Sequence, residues 1–140
     1  MLFRSQWSSA PQAGFTTGTP WLRLADDWPQ RNVEAQVRDA ASMLTLYRRL
    51  IALRRARPAL NRGGYEALES EEEVLAYART FEGQRVVVAL NFGATAAALP
   101  LALLPDRSIL LASTVPTRAE RIEKGTLVLA PYEGVVVGQS

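Results

Sequence analysis

Three patterns of apolar and polar residues succeed one another along the chain. Residues 1–39 carry all three tryptophans and three of the prolines among Gly, Thr and Ser, with neither helical nor alternating spacing. That predicts a long ordered loop, and irregular connections beyond about 12–15 residues usually serve function or pack against another element. From Asp39 the spacing becomes helical, with Met43, Leu44, Leu46, Tyr47, Leu50, Ile51 and Leu53 recurring until Pro58. The spacing predicts one long helix over 40–57, with Asp39 as its N-cap and Pro58 as its stop. At about 100° per residue these seven side chains cover about half the circumference, which is wider than one packing partner requires and predicts two.

Beyond Gly63-Gly64 the pattern changes to short runs of β-branched and aromatic residues separated by turn signals. Strands are predicted at Gly64–Glu69, Val74–Thr80, Val86–Phe92, Ala96–Leu99, Ile109–Ala112, Thr126–Ala130 and Val135–Val137. Gly83 supplies a hairpin turn between the second and third, since glycine takes a positive φ freely. Val86-Val87-Val88-Ala89-Leu90 is apolar on both faces, as a central strand should be. The predicted fold class is mainly β with one long helix, a small antiparallel β-sandwich preceded by an aromatic loop.

Composition narrows the chemistry. The 140 residues are 48% apolar and 21% charged, the balance of a folded domain. Cysteine and histidine are both absent, which removes thiolate nucleophiles, serine–histidine dyads and most transition-metal sites, and favours a reducing, cytoplasmic setting. The net charge of +2 is carried almost wholly by arginine. No apolar run approaches the ~20 residues of a membrane helix, and Met1-Leu2-Phe3-Arg4 is followed by polar residues rather than by the apolar stretch of a secretory signal.

Several groups admit two readings. Arg48, Arg49, Arg54, Arg55 and Arg57 suggest phosphate binding, yet on a helical wheel they do not share one face, and Arg54 projects into the apolar stripe, where it meets a carboxylate or snorkels at an interface. No nucleic-acid partner is expected. Trp7, Trp21 and Trp28 suit sugar stacking, but aromatics in a long loop also anchor that loop. Glu71-Glu72-Glu73 reads as a solvated turn rather than a metal site, because adjacent positions of an extended chain face opposite ways. Asn91-Phe92-Gly93 reads as strand-end turn chemistry.

The ordered succession Gln6-Trp7, Ala13-Gly14-Phe15, Asn32 to Gln36, Ser42-Met43-Leu44 and Tyr47 to Arg55 resembles the end of the α-glucosidases and oligo-1,6-glucosidases of glycoside hydrolase family 13. The likeness continues more loosely through Val74 to Tyr77, Val88 to Phe92 and Leu99-Pro100. It implies a C-terminal piece: 1–39 as the end of a catalytic TIM barrel, 40–57 as the eighth barrel helix and 62–140 as the Greek-key-like β domain that follows. By the same resemblance Gln6, Trp7, Gln12 and Phe15 flank the substrate mouth, and Leu44, Tyr47, Leu50, Ile51 and Arg54 meet the barrel or a second copy of the chain.

The resemblance implies no cofactor, no metal and no catalytic residue here, since the family's nucleophile, acid and substrate-holding carboxylates lie on earlier barrel strands. An α-glucoside oligosaccharide would be met only through the parent enzyme. Two departures stand out: Gln12 replaces the usual asparagine, and Leu2-Phe3-Arg4-Ser5 replace the usual residues before Gln6-Trp7. The rival readings are a stand-alone carbohydrate-binding module, needing the tryptophans on one ridge, and an interaction module using the helix face.

Overall fold

The computed structural model describes residues 6–116, 122–123 and 125–139. The chain divides into two compact units, Met1–Arg48 and Arg49–Ser140.

In the first unit the segment expected to be wholly irregular contains a short helix, α1 (Val33–Arg38). Asn32 starts it: the side-chain oxygen accepts from Ala35 N at 2.9 Å while its Nδ2 donates to the carbonyls of Trp28 and Pro29. One short side chain thus caps the helix and ties down the preceding turn.

The long helix, α2, runs Met43–Ala56 and begins later than its apolar spacing suggested. Asp39 is not its N-cap. It closes α1 instead, and its Oδ1 accepts from Ala41 N at 2.8 Å. Ser42 caps α2, because its Oγ lies close enough to accept from Thr45 N at 3.2 Å while donating to Gln36 O at 2.7 Å. The Gln36 side chain takes a second free amide, that of Leu44, at 3.1 Å. Pro58 ends α2 as expected and also opens a further short helix, α3 (Pro58–Arg62), since a proline at the first helical position forfeits no hydrogen bond.

In the second unit, strands β1 (Gly64–Leu68), β2 (Val74–Phe81), β3 (Gln84–Asn91), β4 (Ala97–Pro100), β5 (Ser108–Ser113), β6 (Ile122–Glu123), β7 (Thr126–Leu129) and β8 (Gly134–Gln139) follow in order. They form two antiparallel sheets, β1-β2-β3-β8-β5 and β4-β7-β6. Glu82 and Gly83, with φ of 47° and 79°, make the two-residue hairpin turn between β2 and β3.

The crossovers follow from the sheet order: the chain leaves β3 for the second sheet, returns as β5, and finally inserts β8 between β3 and β5. This is the Greek-key-like sandwich. Its core joins Val74, Ala76, Val87, Ala89, Val135 and Val137 of one sheet to Ala97, Leu99, Leu127 and Leu129 of the other. Strand β3 sits third of five with Val86, Val87, Val88 and Ala89 all buried. Its second face lies towards α3, where Ala59 is buried and its amide meets the Gln84 side chain at 3.2 Å.

Candidate functional site

The residues assigned to the substrate mouth all fall in the first unit. Gln6 and Trp7 form a rung held by two segments. The amides of Trp7 and Ser8 donate to Ala13 O at 2.9 and 3.2 Å, and the carbonyls of Gln6 and Trp7 accept from Val33 and Glu34 at 2.8 and 3.0 Å. The rung therefore links the Pro11–Gly14 turn to the first turn of α1.

That turn is unusual: Gln12, Ala13 and Gly14 follow one another with φ of 58°, 56° and 66°. Left-handed backbone is disfavoured for side chains other than glycine and asparagine, costing about 1–2 kcal/mol per residue, so two such residues in sequence must be over-determined by what surrounds them. The surroundings do this. Ala13 is fully buried, its carbonyl receives two amides, and Phe15 N returns to Gln12 O at 3.1 Å. Asparagine, which the resemblance leads one to expect at Gln12, is a residue that this backbone favours.

Gln12 is half-buried, whereas Trp7 and Phe15 are exposed. Trp28 is half-buried, and its carbonyl accepts from Asn32 Nδ2 at 3.0 Å.

Three of the four carboxylates of this unit each meet an arginine, and the fourth, Asp39, accepts from Ala41 N. Arg23 meets Asp26 at 2.7 Å, Arg31 meets Asp27 at 3.6 Å and Arg38 meets Glu34 at 2.7 Å. The hydrogen bond from Arg23, and then its charge, hold the Asp26 carboxyl below the usual carboxylate range. A general acid needs the opposite displacement. Among the described residues no group of three or more potential metal ligands occurs, and no helix is long and apolar enough to cross a membrane.

On the long helix Leu44 and Leu50 are half-buried, while Tyr47 and Ile51 are 60% and 48% exposed. With Met43 they make an exposed stripe at fourfold spacing. Among the described residues Arg54 makes no ion pair; its Nε donates to Asn61 Oδ1 at 3.0 Å, and the Asn61 amide returns to Arg54 O. The α2–α3 corner supplies this nearer partner.

The second unit contains polar contacts that local sequence reasoning misses. Glu133 is 1% exposed, with Oε1 accepting from Ser113 Oγ at 2.6 Å and Oε2 from Ala130 N at 2.8 Å. Asn91 is buried beside it: its Nδ2 donates to Thr95 O and Ala130 O, and its Oδ1 accepts from Gly93 N. Asn91 is thus a cross-link between the end of β3 and the turn before β8, beyond the strand-end turn read from sequence. The three glutamates 71–73 do lie exposed in a turn, with Glu71 accepting from Ala98 N.

A loop leading into one long helix, then a two-sheet antiparallel β unit, is the architecture of the C-terminal part of α-amylase-type enzymes. Residues 4–63 match the family described as alpha amylase, catalytic domain, and residues 65–136 match maltogenic amylase, C-terminal domain. The chain is 35% identical to trehalose-6-phosphate hydrolase of Bacillus subtilis over 94% of its own length and 24% of the hydrolase. It is 30% identical to oligo-1,6-glucosidase of Parageobacillus thermoglucosidasius, again covering 94% of itself and 24% of that enzyme. The crystal structure of trehalulose synthase from Pseudomonas mesoacidophila MX-45 superposes with a TM-score of 0.80 at 31% identity, over 95% of this chain and 24% of the synthase. The chain belongs to the α-amylase family, glycoside hydrolase family 13, and spans about a quarter of the length of these relatives.

Proposed function

We propose that this chain works as the non-catalytic C-terminal portion of an α-glucosidase-type hydrolase, stabilising the catalytic barrel and flanking its substrate mouth. The whole enzyme, in this reading, cleaves terminal α-glucosidic bonds of malto- or isomalto-oligosaccharides in the cytoplasm. The carrying observation is the direct succession, in one chain, of the catalytic-domain match over 4–63 and the C-terminal-domain match over 65–136. The trehalose-6-phosphate hydrolase and oligo-1,6-glucosidase relatives support a hydrolase acting on glucosides.

In this reading the first 39 residues end the barrel, α2 is its last helix and 62–140 are the β domain. Gln6, Trp7, Gln12 and Phe15 flank the mouth, and Leu44, Tyr47, Leu50, Ile51 and Arg54 face the barrel. Retaining glycosidases need a carboxylate nucleophile and a protonated acid about 5–5.5 Å apart. The arginine partners of Asp26, Asp27 and Glu34 speak for a supporting role for these three instead.

The test is release of p-nitrophenol from p-nitrophenyl α-glucoside. The 140-residue chain alone should release none, and mixing with a separately expressed barrel fragment of a relative should restore release. Turnover by the chain alone would overturn the non-catalytic role; a barrel fragment that binds the chain and stays inactive would overturn the supporting one.

Without a barrel, the stripe of Tyr47 and Ile51 with Leu44 and Leu50 should seek another cover, because apolar patches of several hundred Å² rarely stay exposed in monomers. Sedimentation velocity at rising concentration should show dimers or larger species, and Ile51→Asp should reduce them. A strictly monomeric profile for the unsubstituted chain would refute self-association.

A further inference from the structure

The left-handed turn at Gln12–Gly14 is costly, and what it holds is the backbone of Trp7. The Trp7 amide donates to Ala13 O at 2.9 Å, the next amide, of Ser8, donates to the same oxygen at 3.2 Å, and the Trp7 carbonyl accepts from Glu34 N at 3.0 Å. Both polar groups of the Trp7 backbone are thereby occupied, by two different segments, while the side chain is left 53% exposed. A fixed backbone bearing an offered aromatic ring is a preorganised contact: the ordering cost is met before any ligand arrives. Sequence spacing alone could not give this, because Ala13 and Gly14 carry no side chain able to reach a ligand.

We infer that Ala13 and Gly14 are positioning residues that fix Trp7 for contact with an α-glucoside at the mouth of the barrel. The inference rests on the glucosidase reading for its ligand, but not for its geometry. Gly14 is the sensitive point. A Cβ added there would lie 2.5 Å from Ser8 Oγ, on a backbone with φ of 66°. Gly14→Ala puts a side chain on left-handed backbone and crowds the Ser8 hydroxyl, so the strain should fall on the turn whose Ala13 O holds the Trp7 and Ser8 amides. Removing the hydroxyl by Ser8→Ala leaves only Ser8 Cβ, at 3.5 Å, an ordinary contact, and should restore part of the loss.

Amide hydrogen exchange in the full chain tests the geometry without any activity. In Gly14→Ala, exchange at Trp7 and Ser8 should quicken about fivefold to tenfold, as expected for a residue forced into an unfavourable φ. The Asn91 amide, bonded to Glu133 O at 2.8 Å in the other unit, should stay as it was. Ser8→Ala/Gly14→Ala should recover part of the protection. Unchanged exchange at Trp7, or equal acceleration at Asn91, would overturn the positioning role.

The barrel-complemented protein tests the ligand. With p-nitrophenyl α-glucoside, Gly14→Ala should raise KM about fivefold with kcat within about twofold, because a misplaced binding contact is lost equally from ground and transition states. A fall in kcat at unchanged KM would mean a folding effect only and would overturn the substrate role. If the unsubstituted mixture shows no turnover, the glucosidase reading has failed, and the exchange data alone decide whether the turn positions Trp7.

Discussion

Glu133→Ala is expected to destabilise the β unit by about 2–4 kcal/mol, a large share of a domain's net stability. The carboxylate sits 1% exposed between the end of β5 and the turn before β8, accepting from Ser113 Oγ at 2.6 Å and Ala130 N at 2.8 Å. Alanine leaves both donors inside the protein without that acceptor, and an unsatisfied buried donor costs more than a made hydrogen bond gains. Glu133→Gln should cost less, because its carbonyl oxygen keeps one of the two contacts while its NH₂ can only donate. Urea unfolding followed by far-UV circular dichroism measures both. A loss below about 1 kcal/mol for Glu133→Ala would show that Ser113 and Ala130 find other partners readily.

Leu129→Ala should cost about 3 kcal/mol, within the range measured for buried leucines elsewhere. Leu129 is 0% exposed on β7 and packs in the core shared with Leu99, Val87 and Val135. Leu75→Ala is the matched control. Leu75 lies on β2 between the buried Val74 and Ala76, points to the other face and is 45% exposed, so its loss should cost less than about 1 kcal/mol. The comparison asks for a shifted urea midpoint at an unchanged slope. Equal costs at the two leucines would contradict the assignment of β2 and β7 to one enclosed core.

These two cases divide what the chain's local pattern reveals from what it hides. The alternation through Val74 to Phe81, the doubly apolar Val86 to Leu90 and the turn at Gly83 are local signals, and β2, β3 and their hairpin follow from them within a residue or two. Strand β6 has only Ile122 and Glu123, too few positions to show a period. The apolar spacing starts α2 too early because Asp39 and Ser42 are equally able caps; the choice is made by Gln36, whose side chain and carbonyl both favour Ser42.

The burial of Glu133 and the long-range bond of Asn91 are hidden for another reason. Their partners Ser113 and Ala130 lie 20 and 39 residues away, so only the folded register of β3, β5 and β8 brings them together. In the Pro11–Gly14 turn, the resemblance marks Gln12 as a departure from the family. What it could not show is the left-handed run, since glutamine is not a residue that announces one.

The place of β8 has a consequence for synthesis. It is the last strand in the chain, yet it lies between β3 and β5 in the middle of the larger sheet. As the chain emerges from the ribosome, β5 has no neighbour in that sheet until Gly134–Gln139 arrive, and the core-facing Val135 and Val137 arrive with them. The hairpins β1-β2-β3 can form early, because their contacts are local, but closure must wait for the most distant pairing. A chain cut before Gly134 would thus lose the centre of a sheet rather than its edge, leaving two unpaired strand edges open to pairing with other chains.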